Sequence, residues 1–417
     1  MFAPHEHAHF PASGSHAGAD VAPAAIIHTH IGPADGTLVS GLLKKSAAEK
    51  ASDLLLVAGS PPTYFAGGRW RSLGEAPMDR DVLRQSLVSL LSEEQKVRLD
   101  EHRDLDFALD IAECGRFRVN LHFQRGTLAA AFRAIPTNIP SFESLNLPPQ
   151  VLSFADFPNG LVLVTGGTGQ GKSTTMATMI DHINRTRAAH IITIEDPVEF
   201  ALTSRKSLIE QREIGEDSPS FASALRHVLR QRPDVIVVGE LRDLETISTA
   251  ITAAETGHLV IGSLHTSSAA QTLARVIDVF PPVQQPQIRV QLAASLRAIV
   301  CQTLVRDAAN ETLTPATEIL VATSAVRRAL RENETHLIYS MIETGRNLGM
   351  HTLEQSLAEL VRAGRIDTDE ALAATTDRPR LARLLGVQDR IDDSLTSALI
   401  RGGDTPVDIP WADSPRK

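Results

Sequence analysis

Eight residues, Gly166-Gly167-Thr168-Gly169-Gln170-Gly171-Lys172-Ser173, constrain this chain more than any other stretch. They satisfy G-x-x-x-x-G-K-[ST], and their surroundings fit that pattern. The apolar run Leu161 to Thr165 before them reads as a strand, and Lys172 to Asn184 after them reads as a helix. Glycines let the backbone curl until successive N–H groups point at one anion. The helix N-terminus adds a favourable dipole. Lys172 would meet the β- and γ-phosphates of a nucleotide, and the Ser173 hydroxyl would bind Mg²⁺, with Thr174 completing the first helical turn. A chance glycine-rich turn is the bland alternative, and the strand before and helix after argue against it. ATP and Mg²⁺ are therefore the expected cofactors.

The surrounding residues, 146–300, alternate strand and helix. Ile191 to Glu195, Asp234 to Gly239 and Leu259 to Leu264 read as strands. Ser218-Pro219 predicts a capped helix running to about Gln231, and Asp243 to Thr256 a helix closed by Gly257. Largely apolar strands in this rhythm predict an α/β fold with a parallel sheet covered on both faces. In such sheets ligands lie beyond the carboxyl ends of the strands. Glu240 ends one strand and is the expected residue to position and activate an attacking water. Glu195, Asp196 and Glu199 come after another and, with Ser173, are the expected Mg²⁺ ligands. The bland alternative for each carboxylate is a solvated strand-end charge, and the nearby phosphate loop argues against it. His265 ends a third strand and would sense the γ-phosphate. His258 precedes that strand, and a lone histidine is more often structural.

The other segments are less informative. Residues 36–145 predict a mixed α/β domain: a helix at Leu38 to Glu49, a strand at Ser52 to Val57 and a hairpin about Gly67-Gly68. A helix over Val82 to Leu99 and paired strands at Phe117 to Leu121 and Leu128 to Ile135 complete it. Residues 1–35 are rich in Ala, Pro, Gly and His and read as a polar disordered tail. The alternating His5, His7 and His9, with His28 and His30, would otherwise suggest metal binding. Residues 300–375 read as mainly helical and 376–417 as a flexible tail.

A net charge of −9 over 417 residues argues against nucleic acid as a partner. Two separated cysteines, Cys114 and Cys301, exclude a four-cysteine zinc site. No apolar run approaches the roughly 20 residues of a membrane span, and Met1 to His9 lacks the character of a secretory signal. These features predict a cytoplasmic protein that reaches any membrane machine as a peripheral partner.

Several motifs together resemble those of the type II/IV secretion ATPases, and most of all the PilT-type pilus retraction ATPases. The phosphate loop is similar to their Walker A motif, and Ile194-Glu195-Asp196-Pro197-Val198-Glu199-Phe200 to their Asp box. Val238-Gly239-Glu240-Leu241-Arg242-Asp243 is similar to Walker B, and Thr252-Ala253-Ala254-Glu255-Thr256-Gly257-His258 to the His box. Gln211-Arg212-Glu213, Ser263 to Ala269, Ala51 to Leu54 and Gly115 to Asn120 agree as well, so the likeness spans about Leu38 to Asp369. It implies a PAS-like N-terminal domain, a RecA-like ATPase domain with C-terminal helices, and a homohexamer holding ATP between the two domains. By motif, Glu199 and Glu240 take the acidic roles and His258 and His265 the histidine positions. Arginines of the N-terminal domain reach the phosphates in this family, and Arg118, Arg125 and Arg133 are the candidates; each would otherwise be an ordinary surface cation. The implied partners are an inner-membrane pilus platform protein and a second pilus ATPase.

Two departures stand out. Gly167 and Gln170 replace the usual Pro and Ser of the loop. Ala325-Val326-Arg327-Arg328-Ala329-Leu330 stands where retraction ATPases carry Ala-Ile-Arg-Asn-Leu-Ile. The competing readings are an assembly or type II secretion motor, an accessory retraction paralogue, a nucleotide-dependent regulatory protein and, disfavoured by the acidic charge, a DNA translocase. Lys172→Ala deletes the main side-chain charge on the phosphates. Steady-state assays of the folded variant should therefore show ATP turnover abolished.

Overall fold

The structure, a computed structural model, describes residues 38–387 apart from 68, 112–113 and 309–311. The histidine-rich stretch at 1–35 lies outside the described residues, as does most of the segment 376–417. The chain divides into two units, one reaching Pro136 and including Ala201–Leu208, the other formed by Thr137–Phe200 and the residues from Ile209 onward.

The first unit opens with α1 (Leu38–Ala48), then β1 (Asp53–Leu56), β2 (Thr63–Ala66) and β3 (Arg69–Ser72). Helices α2 (Arg80–Val88) and α3 (Glu93–His102) precede β4 (Asp104–Ile111), β5 (Gly115–Gln124) and β6 (Thr127–Ile135). The strands form one antiparallel sheet in the order β3-β2-β1-β6-β5-β4. Alternation decides its faces: Leu105, Phe107 and Leu109 lie opposite Leu121, Val119 and Phe117, and all six are buried. They share a core with Val39 and Leu43 of α1 and Leu83 and Leu87 of α2.

The single helix expected over Val82 to Leu99 is two helices. Ser92 accepts from the Gln95 N–H, and Gln95 accepts from the Ser92 N–H, a capping box that starts α3 afresh. The apolar spacing runs on across the break because Leu83, Leu87, Leu91 and Leu99 all face the same core.

The second unit contains α4 (Pro149–Ser153), β7 (Gly160–Thr165), α5 (Lys172–Thr186), β8 (His190–Glu195), β9 (Leu208–Glu213) and α6 (Phe221–Val228). Then come β10 (Val235–Val238), α7 (Leu244–Glu255), β11 (Leu259–Leu264), α8 (Ala269–Asp278) and α9 (Gln285–Ser295). β12 (Leu296–Arg306), β13 (Leu313–Val321) and α10 (Ser324–Glu332) come next. Four more helices end the described chain: α11 (Ile338–Thr344), α12 (Leu353–Arg362), α13 (Thr368–Ala374) and α14 (Arg378–Leu385). The sheet order is β13-β12-β7-β11-β10-β8-β9. Strands β12, β7, β11, β10 and β8 run parallel, and β13 is antiparallel to β12. Every residue of β7, β10 and β11 is buried, as a sheet covered on both faces requires.

Three expectations are corrected here. Helix α6 starts at Phe221 under a Ser220 cap, because the Ser220 side chain accepts from Ser223 N–H; Ser218 instead bridges to Ile214. Residues 300–375 begin with two strands, since Leu296 to Arg306, buried without a break only over Ala298 to Gln302, takes its strand character from pairing with β7 and β13. Within the segment read as a tail, Asp377 caps α14, whose Leu381 packs with Leu357 and Ala358 of α12.

One buried carboxylate ties these later elements together. Glu318 on β13 accepts from the Ala269 N–H at the start of α8, at 2.7 Å, and from the backbone of Leu353 at the start of α12. Burial, reinforced by the nearby Glu354 charge, pushes its pKa from 4.5 up to about 7, although the two backbone N–H bonds oppose the rise. The sign comes from proton linkage: the folded state holds this proton more tightly than the unfolded chain does. Its stabilising contribution is therefore full below about pH 4.5 and is lost as pH rises through about 7. Denaturant titrations across that window should show Glu318→Gln with a flatter pH dependence than the unaltered protein.

Candidate nucleotide site

Parallel pairing brings the ends of four strands to one edge. Leu264 lies beside Thr165, and Val238 beside both Gly262 and Ile194. The segments leaving these strands therefore gather there: the phosphate loop after β7, Glu195 to Glu199 at and after β8, Glu240 after β10 and His265 after β11. The loop takes its curvature from glycines. Gly166, Gly169 and Gly171 have φ of 147°, 76° and 79°, values that L side chains rarely adopt. Gly171 caps α5 and Lys172 opens it.

Lys172 is buried, and its ammonium donates to the carbonyls of Gly166 and Gly167, both at 2.9 Å. Its Nζ lies 3.5 Å from His265 Nδ1. Burial pulls the Lys172 pKa down, and the charges of Glu240 and Glu199 pull the other way. Burial outweighs those charges, so a cation placed like this would gain from the negative charge of an arriving phosphate.

Glu240 is held on both sides. Gly239 N–H donates to the Ile194 carbonyl at 2.8 Å and Leu241 N–H to the Ser263 carbonyl at 2.9 Å, so Glu240 projects between the ends of β8 and β11. Arg242 donates to its Oε2 at 2.6 Å, and His265 Nε2 lies 3.1 Å from the same oxygen. Partial burial works to raise its pKa, but the hydrogen bonds and charges of Arg242 and His265 outweigh that and hold it below the usual carboxylate range. Lys172, His265 and Glu240 thus form one chain of contacts across the phosphate loop.

The acidic cluster divides. Glu199 Oε1 accepts the Ser173 hydroxyl at 2.8 Å, which brings a carboxylate to the side chain expected to bind Mg²⁺. An Mg²⁺ with phosphate oxygens would suit this all-oxygen set, since the ion keeps several waters and few protein ligands. Glu195 turns elsewhere: it accepts from Thr193 at 2.6 Å and Gln211 at 3.0 Å, and its burial raises its pKa. Asp196 lies close enough to add its charge to the field on Arg242.

Of the remaining candidates, His258 lies apart from this cluster. His258 stands at the opposite end of β11 from His265, with Nδ1 2.9 Å from the Ala253 carbonyl near the end of α7. The arginines belong to the first unit. Arg118 and Arg133 face each other across β5 and β6; Arg133 donates to Asp53 at 2.8 Å, and Arg118 lies 3.8 Å from Asp106. Arg125 forms the turn between these strands with Gly126, at φ of 47° and 74°.

A family model for type II/IV secretion system proteins matches residues 141–384. The type IV pilus retraction ATPase PilT of Pseudomonas aeruginosa is 43% identical over 333 residues, covering 80% of this chain and 96% of that protein. This chain belongs to the type II/IV secretion ATPase family. The type IV pilus ATPase PilU of the same organism is 35% identical over 361 residues, covering 87% of this chain and 94% of PilU. A crystal structure of the pilus retraction motor PilT with bound ADP matches with a TM-score of 0.78 at 42% identity, covering 83% of this chain and 99% of that one.

In this secretion ATPase, sequence reasoning named Lys172, Ser173, Glu199, Glu240 and His265, which the fold brings together. The sequence does not single out Arg242 as the partner of Glu240, or Thr193 and Gln211 as the partners of Glu195. The signal for Arg242 was its place two residues after a strand-end carboxylate, a spacing that lets its side chain fold back. Glu240→Gln keeps the shape and removes the charge. Equilibrium binding should show ATP still bound, and single-turnover rates should fall by roughly 10²-fold or more.

Proposed function

We propose that this chain is an ATP-hydrolysing, homohexameric motor that powers type IV pilus retraction, and with it twitching motility. The contact chain from Lys172 through His265 to Glu240, with Glu199 on Ser173, is the observation that carries the reading. It supplies a phosphate-binding cation, a site for Mg²⁺ and a carboxylate to orient water, which are the parts phosphoryl transfer needs. The likeness to PilT along most of the chain supports retraction as the work done with that energy. Lys172, Ser173 and the loop from Gly166 would hold ATP, and Ser173 with Glu199 would hold Mg²⁺. Glu240 would orient the water, and His265 would register the γ-phosphate.

We read residues 36–145 as a PAS-like domain and 146–375 as a RecA-like ATPase domain with C-terminal helices. No helix among the described residues is long and apolar enough to cross a membrane. A place in the cytoplasm, peripheral at the inner membrane beside a polytopic pilus platform protein, fits the proposed work. A second reading, an accessory retraction ATPase working with a main motor, is favoured by α10. There Arg328 stands at the family's usual Asn position and pairs with Glu332 at 2.9 Å, giving that helix a charged outer face.

One of Arg118, Arg125 and Arg133 would offset charge developing on the γ-phosphoryl group. Light scattering with nucleotide and Mg²⁺ should return the mass of a hexamer. Replacing the responsible arginine with Ala should cut hydrolysis by roughly 10²-fold or more while sparing ATP binding. A monomer at micromolar concentration that hydrolyses ATP at full rate would overturn the ring motor in favour of a regulatory protein.

A further inference from the structure

The phosphate loop does not rest on its own backbone alone. β12 pairs in parallel with β7, and Cys301 lies opposite Thr165. The next residues along, Gln302 and Gly166, therefore meet where the loop begins. The fit is tight: a Cβ on Gly166 would stand 2.4 Å from the Gln302 carbonyl oxygen, and one on Gly171 would stand 2.7 Å from Gln302 Nε2. The residue that starts the loop and the residue that ends it both lie against Gln302.

The Gln302 side chain is buried, and both its amide nitrogen and its oxygen are engaged. Its Nε2 donates to the Gln170 carbonyl at 2.7 Å, and its Oε1 accepts the Thr175 hydroxyl at 2.7 Å. The orientation of this amide is determined chemically. The Gln170 carbonyl can only accept, so it must face the NH₂, which leaves the oxygen for the Thr175 hydroxyl. With a donor and an acceptor on one side chain, Gln302 joins the end of the loop to the first turn of α5. A second tie runs back from the loop, where the Gln170 side-chain oxygen accepts from the Leu304 N–H of β12. Gln170 is the residue that departs from the Ser usual in this loop, and the longer side chain is what spans to the strand.

We propose that Gln302 and Gln170 form a brace that holds the phosphate loop in its binding shape before nucleotide arrives, making them positioning residues for nucleotide affinity. The proposal rests on the nucleotide-site reading above. A loop whose N–H groups are already aimed loses less conformational freedom on binding, so the brace acts on affinity. It touches neither Glu240 nor the side of Lys172 that faces His265, so the step after binding is little affected. Breaking the Gln302 bonds leaves the buried Thr175 hydroxyl and the partly buried Gln170 carbonyl without these partners.

The test compares Gln302→Met, which keeps the volume and loses both bonds, with Gln170→Ala, which removes only the tie to Leu304. Binding of ADP with Mg²⁺ is measured by calorimetry, and ATP turnover is measured at saturating nucleotide. Gln302→Met should raise Kd by about tenfold or more and lower kcat by less than about threefold. Gln170→Ala should raise Kd by about threefold. Hydrogen exchange at the loop amides of nucleotide-free protein should quicken in both. A folded Gln302→Met protein whose Kd stays within about twofold, or whose kcat falls while Kd does not move, overturns the brace. If Gln302→Met does not fold, the partly exposed Gln170 decides: unchanged Kd and unchanged exchange in Gln170→Ala overturn it equally. Failure of the unaltered protein to bind ADP would instead refute the nucleotide site itself, and the brace with it.

Discussion

The parallel register of β8, β10, β11 and β7 is the constraint on which everything else depends. Each strand contributes little beyond apolar bulk, yet their pairing makes Ile194, Val238, Leu264 and Thr165 end at one edge. A slip of one residue in any strand would turn the side chain after it to the other face. The chemistry is therefore placed by hydrogen-bonded backbone in the best-buried part of the unit. The segments leaving β7, β10 and β11 are short, which keeps Glu240 and His265 within reach of Lys172.

Electrostatics sets the resting state of this edge. Lys172 is taken out of water and compensated by two carbonyl dipoles and by more distant carboxylates, which is less than a full counter-charge. Glu240 has the opposite situation, a carboxylate supplied with a guanidinium and an imidazole. A phosphate entering the loop would satisfy the first group and crowd the second with negative charge. Binding and the environment of Glu240 are thereby coupled through His265, which touches both.

How much of this was legible in the sequence varied with how local each cause is. β7 and β11 were read correctly because their apolar runs are bounded by Asn159-Gly160 and Gly166 in one case and by Gly257-His258 and His265 in the other. The loop, Lys172 and Ser173 form a contiguous pattern, and Glu199 and Glu240 come soon after strands. What stayed hidden depends on pairing across distance. β12 and β13 were mistaken for helical chain because a run buried on both faces carries no period of its own. Gln302 could not be placed beside the loop until its segment was known to be a strand. Glu195 was legible as a carboxylate, but its withdrawal from the edge depends on Gln211, brought across from β9. The break between α2 and α3 was local and readable, since Ser92 and Gln95 stand at capping-box spacing, and the unbroken apolar stripe drew attention away from it.

The depressed pKa of Glu240 bears on the kind of catalysis its proposed role allows. A strong general base needs a pKa near the working pH, and this carboxylate lies below the ordinary range because Arg242 and His265 favour its charged form. It remains ionised and available to accept a hydrogen bond from water, but it is a poor final owner of the proton. Phosphoryl transfer tolerates that. Its transition state is loose, with little bonding to the incoming oxygen, so the proton can leave late and end on phosphate. What the reaction asks of the protein is a water held in line and charge placed around the transferring group. A carboxylate clamped in position by a guanidinium and a histidine meets the first demand through its rigidity. The same clamp that weakens it as a base sharpens it as a positioning group.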